Sequence, residues 1–169
     1  MRNILIISLG MALPLAACSG AKEGTTISIN STDSDGNIVA GVDGATGKVS
    51  IDSPMFKGQF TLPKIKLDAK NFEMNGVHLY PGSTIGSMNV NAKPDEGDKD
   101  GGGVVRVQFD SPADPATVRD WFKDQLNSHG FNVTASGNGL TGTTDEKKPF
   151  KLDLAATTTG HSKGTIEIE

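Results

Sequence analysis

Asp114-Pro115-Ala116-Thr117-Val118-Arg119-Asp120-Trp121-Phe122-Lys123-Asp124-Gln125-Leu126-Asn127-Ser128-His129-Gly130-Phe131 is the one stretch of this 169-residue chain with helical spacing. Val118, Trp121, Phe122, Gln125 and Leu126 fall at i, i+3, i+4, i+7 and i+8, a single, largely apolar stripe on a helix. Asp114 is a good N-cap, and Pro115 suits the first helical position, where its missing N–H leaves nothing unpaired. His129 stands in the last turn, where positive charge is favourable. Gly130 is the expected stop, and Phe131 supplies an apolar contact to close it. The helix is expected over about 114–129.

On both sides of the helix the period changes from helical to alternating. Before it, Val105, Val107 and Phe109 alternate with Arg106 and Gln108, which predicts a strand over 104–110. Ile85 and Met88-Asn89-Val90 predict another, and the charged, glycine-rich run from Lys93 to Gly103 predicts the loop between them. After it, strands are expected at 131–135, 139–143, 149–155 and 163–169. Gly137-Asn138-Gly139 and Asp145-Glu146-Lys147-Lys148 are the hairpin turns. The order β-β-α-β-β-β-β lays Trp121 and Phe122 on one face of a small antiparallel sheet. Tyr80-Pro81-Gly82-Ser83 is a strong turn and marks the boundary, so residues 80–169 form an α+β module.

Residues 27–79 carry no helical period. Ile27-Ser28-Ile29, Ile38 to Val42 and Lys48 to Asp52 alternate or run apolar between the turns at 31–37 and 43–47. Phe60, Leu62, Ile65, Leu67, Phe72, Met74, Val77 and Leu79 continue the pattern, with Pro54 and Pro63 between runs. Turns about 8–12 residues apart fit a meander, a small sandwich or a short β-solenoid. The chain as a whole reads as α+β, mainly β. Its 21 glycines and 5% aromatic content fit tight turns and argue against a helical bundle.

The first twenty residues carry the most specific pattern. Met1-Arg2-Asn3 is a short positive start. Ile4 to Leu13 is an apolar run, too short to span a hydrocarbon core about 30 Å thick, and Pro14 breaks it. Such a run matches the central region of an export signal. Leu15-Ala16-Ala17-Cys18-Ser19 follows. This resembles the lipobox of bacterial lipoproteins, in which Leu and two small residues precede a Cys. The resemblance implies a signal peptide over 1–17, cleavage before Cys18, and diacylation of the only cysteine, with recognition by the peptidase through Leu15, Ala16 and Ala17. Two or more acyl chains anchor a protein stably. Ser19, where Asp would favour inner-membrane retention, implies sorting to the outer membrane. Residues 18–26 then read as a lipidated tether, small and polar enough to be flexible. Cleavage removes only Arg2 among the charged residues, taking the formal charge from −4 to about −5. A body of that charge does not adhere to anionic lipid by itself, so attachment falls to the tether.

Further along, Tyr80-Pro81-Gly82, the aromatic helix and Phe131-Asn132-Val133 after Gly130 are similar to small Tyr-Pro-Gly β-α-β modules of envelope proteins. That resemblance implies a fold and no reaction. The strand density of 27–79 resembles that of adhesin-like repeats.

Residues with chemical potential are few. His78, His129 and His161 are far apart, with no metal-ligand spacing, and read as surface or capping residues. There is no Gly-x-Ser-x-Gly elbow and no phosphate-binding loop, since Gly101-Gly102-Gly103 opens a strand. Asp33, Asp35 and Asn37 alternate like the start of a calcium loop. Position 12 is Gly44 rather than Glu, which favours an Asx-rich turn. Asp95, Glu96, Asp98 and Asp100 read as a solvated loop because Lys99 interrupts them and Lys93 precedes them. The mild charge and lack of a basic patch give no reason to expect nucleic acid. No cofactor is expected. The expectation is a non-enzymatic envelope lipoprotein that binds an envelope partner or stabilises an assembly, with exposed strand edges available to it. The alternative is a hydrolase or ligand carrier acting on envelope glycan or lipid, which requires a pocket with convergent carboxylates or a Ser/His pair.

Overall fold

The computed structural model describes residues 24–33, 36–64, 66–92, 102–158 and 160–169. In chain order the elements are β1 (Thr26–Asp33), β2 (Gly36–Val42), β3 (Lys48–Asp52), β4 (Lys57–Thr61), β5 (Glu73–Met74), β6 (Val77–His78), β7 (Thr84–Ala92), β8 (Gly103–Ser111), α1 (Pro115–Ser128), β9 (Asn132–Ser136), β10 (Gly139–Thr143), β11 (Pro149–Ala156) and β12 (Ser162–Ile168). The protein is α+β and mainly β.

α1 begins as its cap dictates. The Asp114 carboxylate accepts the backbone N–H groups of Ala116 and Thr117, each at 3.0 Å, and the Thr117 hydroxyl at 2.7 Å. Val118, Phe122 and Leu126 are buried, and Trp121 is half-buried against Tyr80, ring centroids 5.9 Å apart. The chain leaves the helix at Gly130, and Phe131 donates its N–H to the Leu126 carbonyl at 3.1 Å.

Ten strands form one sheet in the order β4-β3-β2-β1-β7-β8-β12-β11-β10-β9. Neighbours pair antiparallel except β1 and β7, which run parallel. Of the N-terminal arrangements expected, β1 to β4 adopt the meander. The meander and the helix-bearing half share one sheet, joined at β1–β7.

The register sets every residue's face, because side chains alternate across a strand. One transverse row crosses all ten strands: Phe60, Val49, Val42, Ile27, Met88, Val107, Ile166, Leu152, Leu140 and Ala135. The next row on the same face is Gly58, Ile51, Ala40, Ile29, Val90, Val105, Ile168, Phe150, Gly142 and Val133. Neither row holds a polar side chain. Between them, on the opposite face, runs Gln59, Ser50, Gly41, Ser28, Asn89, Arg106, Glu167, Lys151, Thr141 and Thr134. Along these rows the sheet is apolar on one side and polar on the other, and on the polar side Val39, 45% exposed, stands opposite Asp52.

A second layer covers part of the apolar side. α1 lies over β9, β10 and β11. Ala69, Val77 and Leu79 join Val107, Phe109, Phe122 and Leu152 in the core. Phe72 to Leu79, expected to continue as strand, instead turn back at Asn75-Gly76 to make the β5–β6 hairpin outside the main sheet. Their φ angles of +47° and +81° are the left-handed pair that a two-residue hairpin needs. Between β4 and β7 the expected alternation at Ile65 and Leu67 gives no strand at Leu67; Ile65 lies outside the described residues. Leu62 donates to the Gly47 carbonyl at 2.8 Å, Leu67 donates to the Thr25 hydroxyl at 3.0 Å, and Ile85 donates to the Leu67 carbonyl at 2.9 Å. The chain thus returns along the end of the sheet where β1 begins. Thr25, within the expected tether, is already part of the fold: it is fully buried and its hydroxyl donates to the Ile85 carbonyl at 2.8 Å.

Candidate functional site

The apolar rows continue onto β1–β4, but the helix layer does not. Ile29 is 42% exposed, Ile38 38%, Phe60 47% and Leu62 40%, whereas Leu152, in the same row as Phe60, is 0% exposed. Val49, beside Phe60 in that row, is buried at 7%, and the group of exposed apolar side chains around it on one face marks an interaction site more often than a single exposed side chain does.

Local chemistry holds the face open. At the β3–β4 turn Ser53 donates its N–H to the Phe56 carbonyl at 2.9 Å, and its hydroxyl accepts the Phe56 N–H at 3.1 Å. This turns Phe56 back over β4. A ring carbon lies 2.5 Å from where a Cβ on residue 58 would stand, so only glycine admits the ring there. Phe56 is 57% exposed and extends the face beyond its strand positions. At the β2–β3 turn the Asp43 carboxylate accepts the N–H groups of Ala45 and Thr46 at 2.8 and 3.0 Å, an Asx turn.

The opposite face carries ion pairs and two shallow hollows. One, of about 460 Å³, lies over β2–β4 and is lined by Val39, Ser50, Asp52, Lys57 and Gln59 among others. Lys57 Nζ is 2.9 Å from Asp52 Oδ1 there. The second, of about 300 Å³, contains Asp110 and Lys163, 3.8 Å apart. Each has one carboxylate facing one lysine, with neither a second carboxylate nor a histidine in its lining. On the same face Arg106 Nε donates to Glu167 Oε2 at 2.9 Å. The Asp153 carboxylate, hydrogen-bonded to Lys151, raises that ammonium above its ordinary pKa. Asp114 is held below the usual carboxylate value, first by the Thr117 N–H and then by the Thr117 hydroxyl.

The residues singled out by the sequence fall as follows. Leu15, Ala16, Ala17, Cys18 and Ser19 lie outside the described residues, as do Asp35 and the acidic group at Asp95, Glu96, Asp98 and Asp100. Asp33 ends β1 opposite Gly36, and Asn37 Oδ1 accepts the Thr32 hydroxyl at 3.1 Å. Among the described residues no three His, Cys, Asp or Glu side chains converge as a metal would require. His78 Nδ1 lies 3.0 Å from the Phe72 carbonyl, His129 Nδ1 lies 2.8 Å from the Gln125 carbonyl, and His161 occupies the β11–β12 turn. Phe122 is core. The bare face itself was not singled out. Its strand residues were recognisable in the sequence, but an alternating strand looks the same with its apolar side covered or open.

No protein-family model matches the chain, and no curated protein or solved structure is significantly similar to it. Among the described residues no helix is long and apolar enough to cross a membrane.

Proposed function

We propose that this chain is a lipid-anchored protein of the bacterial envelope, attached through Cys18, which acts by docking a partner on the apolar face of β1–β4 and carries out no chemistry of its own. The observation that carries the docking role is the open half of a two-sided sheet: Ile29, Ile38, Phe56, Phe60 and Leu62 stand in water on the face that is core elsewhere. The anchor rests on the resemblance of Leu15-Ala16-Ala17-Cys18 to a lipobox, and by the same resemblance Ser19 favours the outer membrane. Five residues lie between Cys18 and Gly24, so the six steps of chain reach at most about 22 Å. The tether therefore holds the folded body close to the bilayer and to other proteins anchored there.

Two measurements test this reading. Labelling with a clickable fatty acid is expected to mark the wild-type chain and not Cys18→Ala; label persisting in the mutant overturns the anchor. Hydroxyl-radical footprinting compares intact cells with dilute purified protein. Phe56 and Phe60 are expected to be protected in cells, and equal labelling in both settings overturns docking.

A further inference from the structure

We propose that the occupant of the bare face is a second copy of this chain, packed sheet against sheet about a two-fold axis; this rests on the docking reading above.

Three observations favour a copy over other occupants. The first is the shape of the site. α1 and the β5–β6 hairpin stand on the same side of the sheet as the bare face, so the face is the floor of a step one layer high. A helix layer is about 10 Å thick, and stacked sheets are also about 10 Å apart. A second meander fills such a step, whereas a flat bilayer rests on the layer beside it and leaves the floor empty. The second is charge. The face positions 27–31, 38–42, 49–51 and 58–60 carry no ionisable side chain, while Lys48, Asp52 and Lys57 all point to the opposite side. An isologous contact sets a patch against itself, so a charged patch would meet its own charge; this one meets apolar side chains and the neutral hydroxyl of Ser31. The third is area. A Phe carries about 150–250 Å², so the exposed fractions of Ile29, Ile38, Phe56, Phe60 and Leu62 leave on the order of 400 Å² bare. A standard interface takes about 800 Å² from each partner. The half-covered Ile27, Val42 and Ile51 and the polar rim supply the remainder. Tethering every copy to one membrane raises their effective concentration further.

The test is photo-crosslinking in the envelope with the full chain and its own leader. A photo-reactive phenylalanine analogue replaces Ile29 on the bare face or Ser50 on the opposite face, and adducts are identified by mass. The expected result is an adduct of two copies from position 29 and none from position 50. Phe60→Asp, with Phe60→Ser as the milder variant, is expected to lower that yield at least about tenfold. Adducts from position 29 with another protein or with lipid only overturn self-pairing and leave docking standing. Equal homodimer yields from both positions overturn self-pairing, since they report crowding. No adduct from either position overturns self-pairing and docking together.

Discussion

Leu152 and Phe60 belong to the same transverse row of one sheet and face different solvents. Leu152, on β11, is sealed under α1; Phe60, on edge strand β4, is 47% exposed. Both halves have the same two-sided patterning, apolar on one face and polar on the other. The halves differ in the layer above the sheet. Burial follows from what the chain returns to cover, and after β4 it returns along the end of the sheet instead of over its face. Patterning therefore specifies a surface that can be buried, and topology specifies which part is. The energetic consequence is testable, because equivalent substitutions in the two halves should have unequal effects.

The largest effect belongs to the covered half. Phe122 is 1% exposed and its ring lies 5.8 Å from that of Phe109. Phe122→Ala is expected to destabilise the protein by about 3–5 kcal/mol, the transfer term plus a cavity. Urea denaturation followed by tryptophan fluorescence reads this directly through Trp121. A loss below about 1 kcal/mol would mean that the covered half is not the stabilising unit.

The joint between the halves comes next. The Thr25 hydroxyl donates to the Ile85 carbonyl and accepts the Leu67 N–H, at no solvent exposure. Thr25→Val keeps the shape and leaves the buried Ile85 carbonyl and the part-buried Leu67 N–H without that partner, at a cost of about 1–3 kcal/mol. Hydrogen exchange should localise the loss. The Leu67 amide and β1 should exchange faster, and β10–β11 should change least. Uniform acceleration across all strands would show that the sheet opens as one unit.

The two halves also differed in how far the sequence could be read. α1 was legible at both ends, since Asp114, the stripe through Leu126 and Gly130 are all local signals. The strands β7 to β12 were legible as elements for the same reason. Asn75-Gly76, a strong two-residue hairpin signal, lay inside what read as continuous alternation, and the contribution of Val77 and Leu79 to the core was hidden with it. The parallel β1–β7 joint was illegible. A side-chain period of two says that Ile27 and Ile29 share a face and says nothing about which strand lies beside them. The bare face depended on that joint, so it was invisible for the same reason. Cys18 was the reverse case, specific in sequence and outside the described residues.

A smaller, pH-dependent effect is expected at the cap of α1, and it belongs to the covered half alone. Asp114 is held below the ordinary carboxylate value by hydrogen bonds from Thr117. A carboxyl whose folded pKa is depressed contributes stability that is fully present above its unfolded pKa and lost as pH falls through the folded value. The helix cap should therefore weaken only on acidification below the usual carboxylate range. Asp114→Asn keeps an N-cap side chain that cannot titrate, and should flatten the acid limb of a urea-midpoint profile while leaving the neutral value nearly unchanged. An unchanged acid limb would place the acid sensitivity elsewhere.

The smallest effect is expected in the bare half, and it sharpens the comparison most. Phe60→Ala makes the same truncation as Phe122→Ala on a side chain that still meets water. In the isolated chain it is expected to cost about 1 kcal/mol or less, because little of the ring is transferred from solvent and no closed cavity forms. Packing against a second copy adds a concentration dependence, since a partner that binds only the folded state stabilises it by mass action. Wild-type stability should then rise with protein concentration, Phe60→Ala stability should not, and the gap should close on dilution. A gap that stays as wide as that of Phe122→Ala at the lowest concentration would make Phe60 part of the monomer's own core, and the two halves of the sheet would cease to differ.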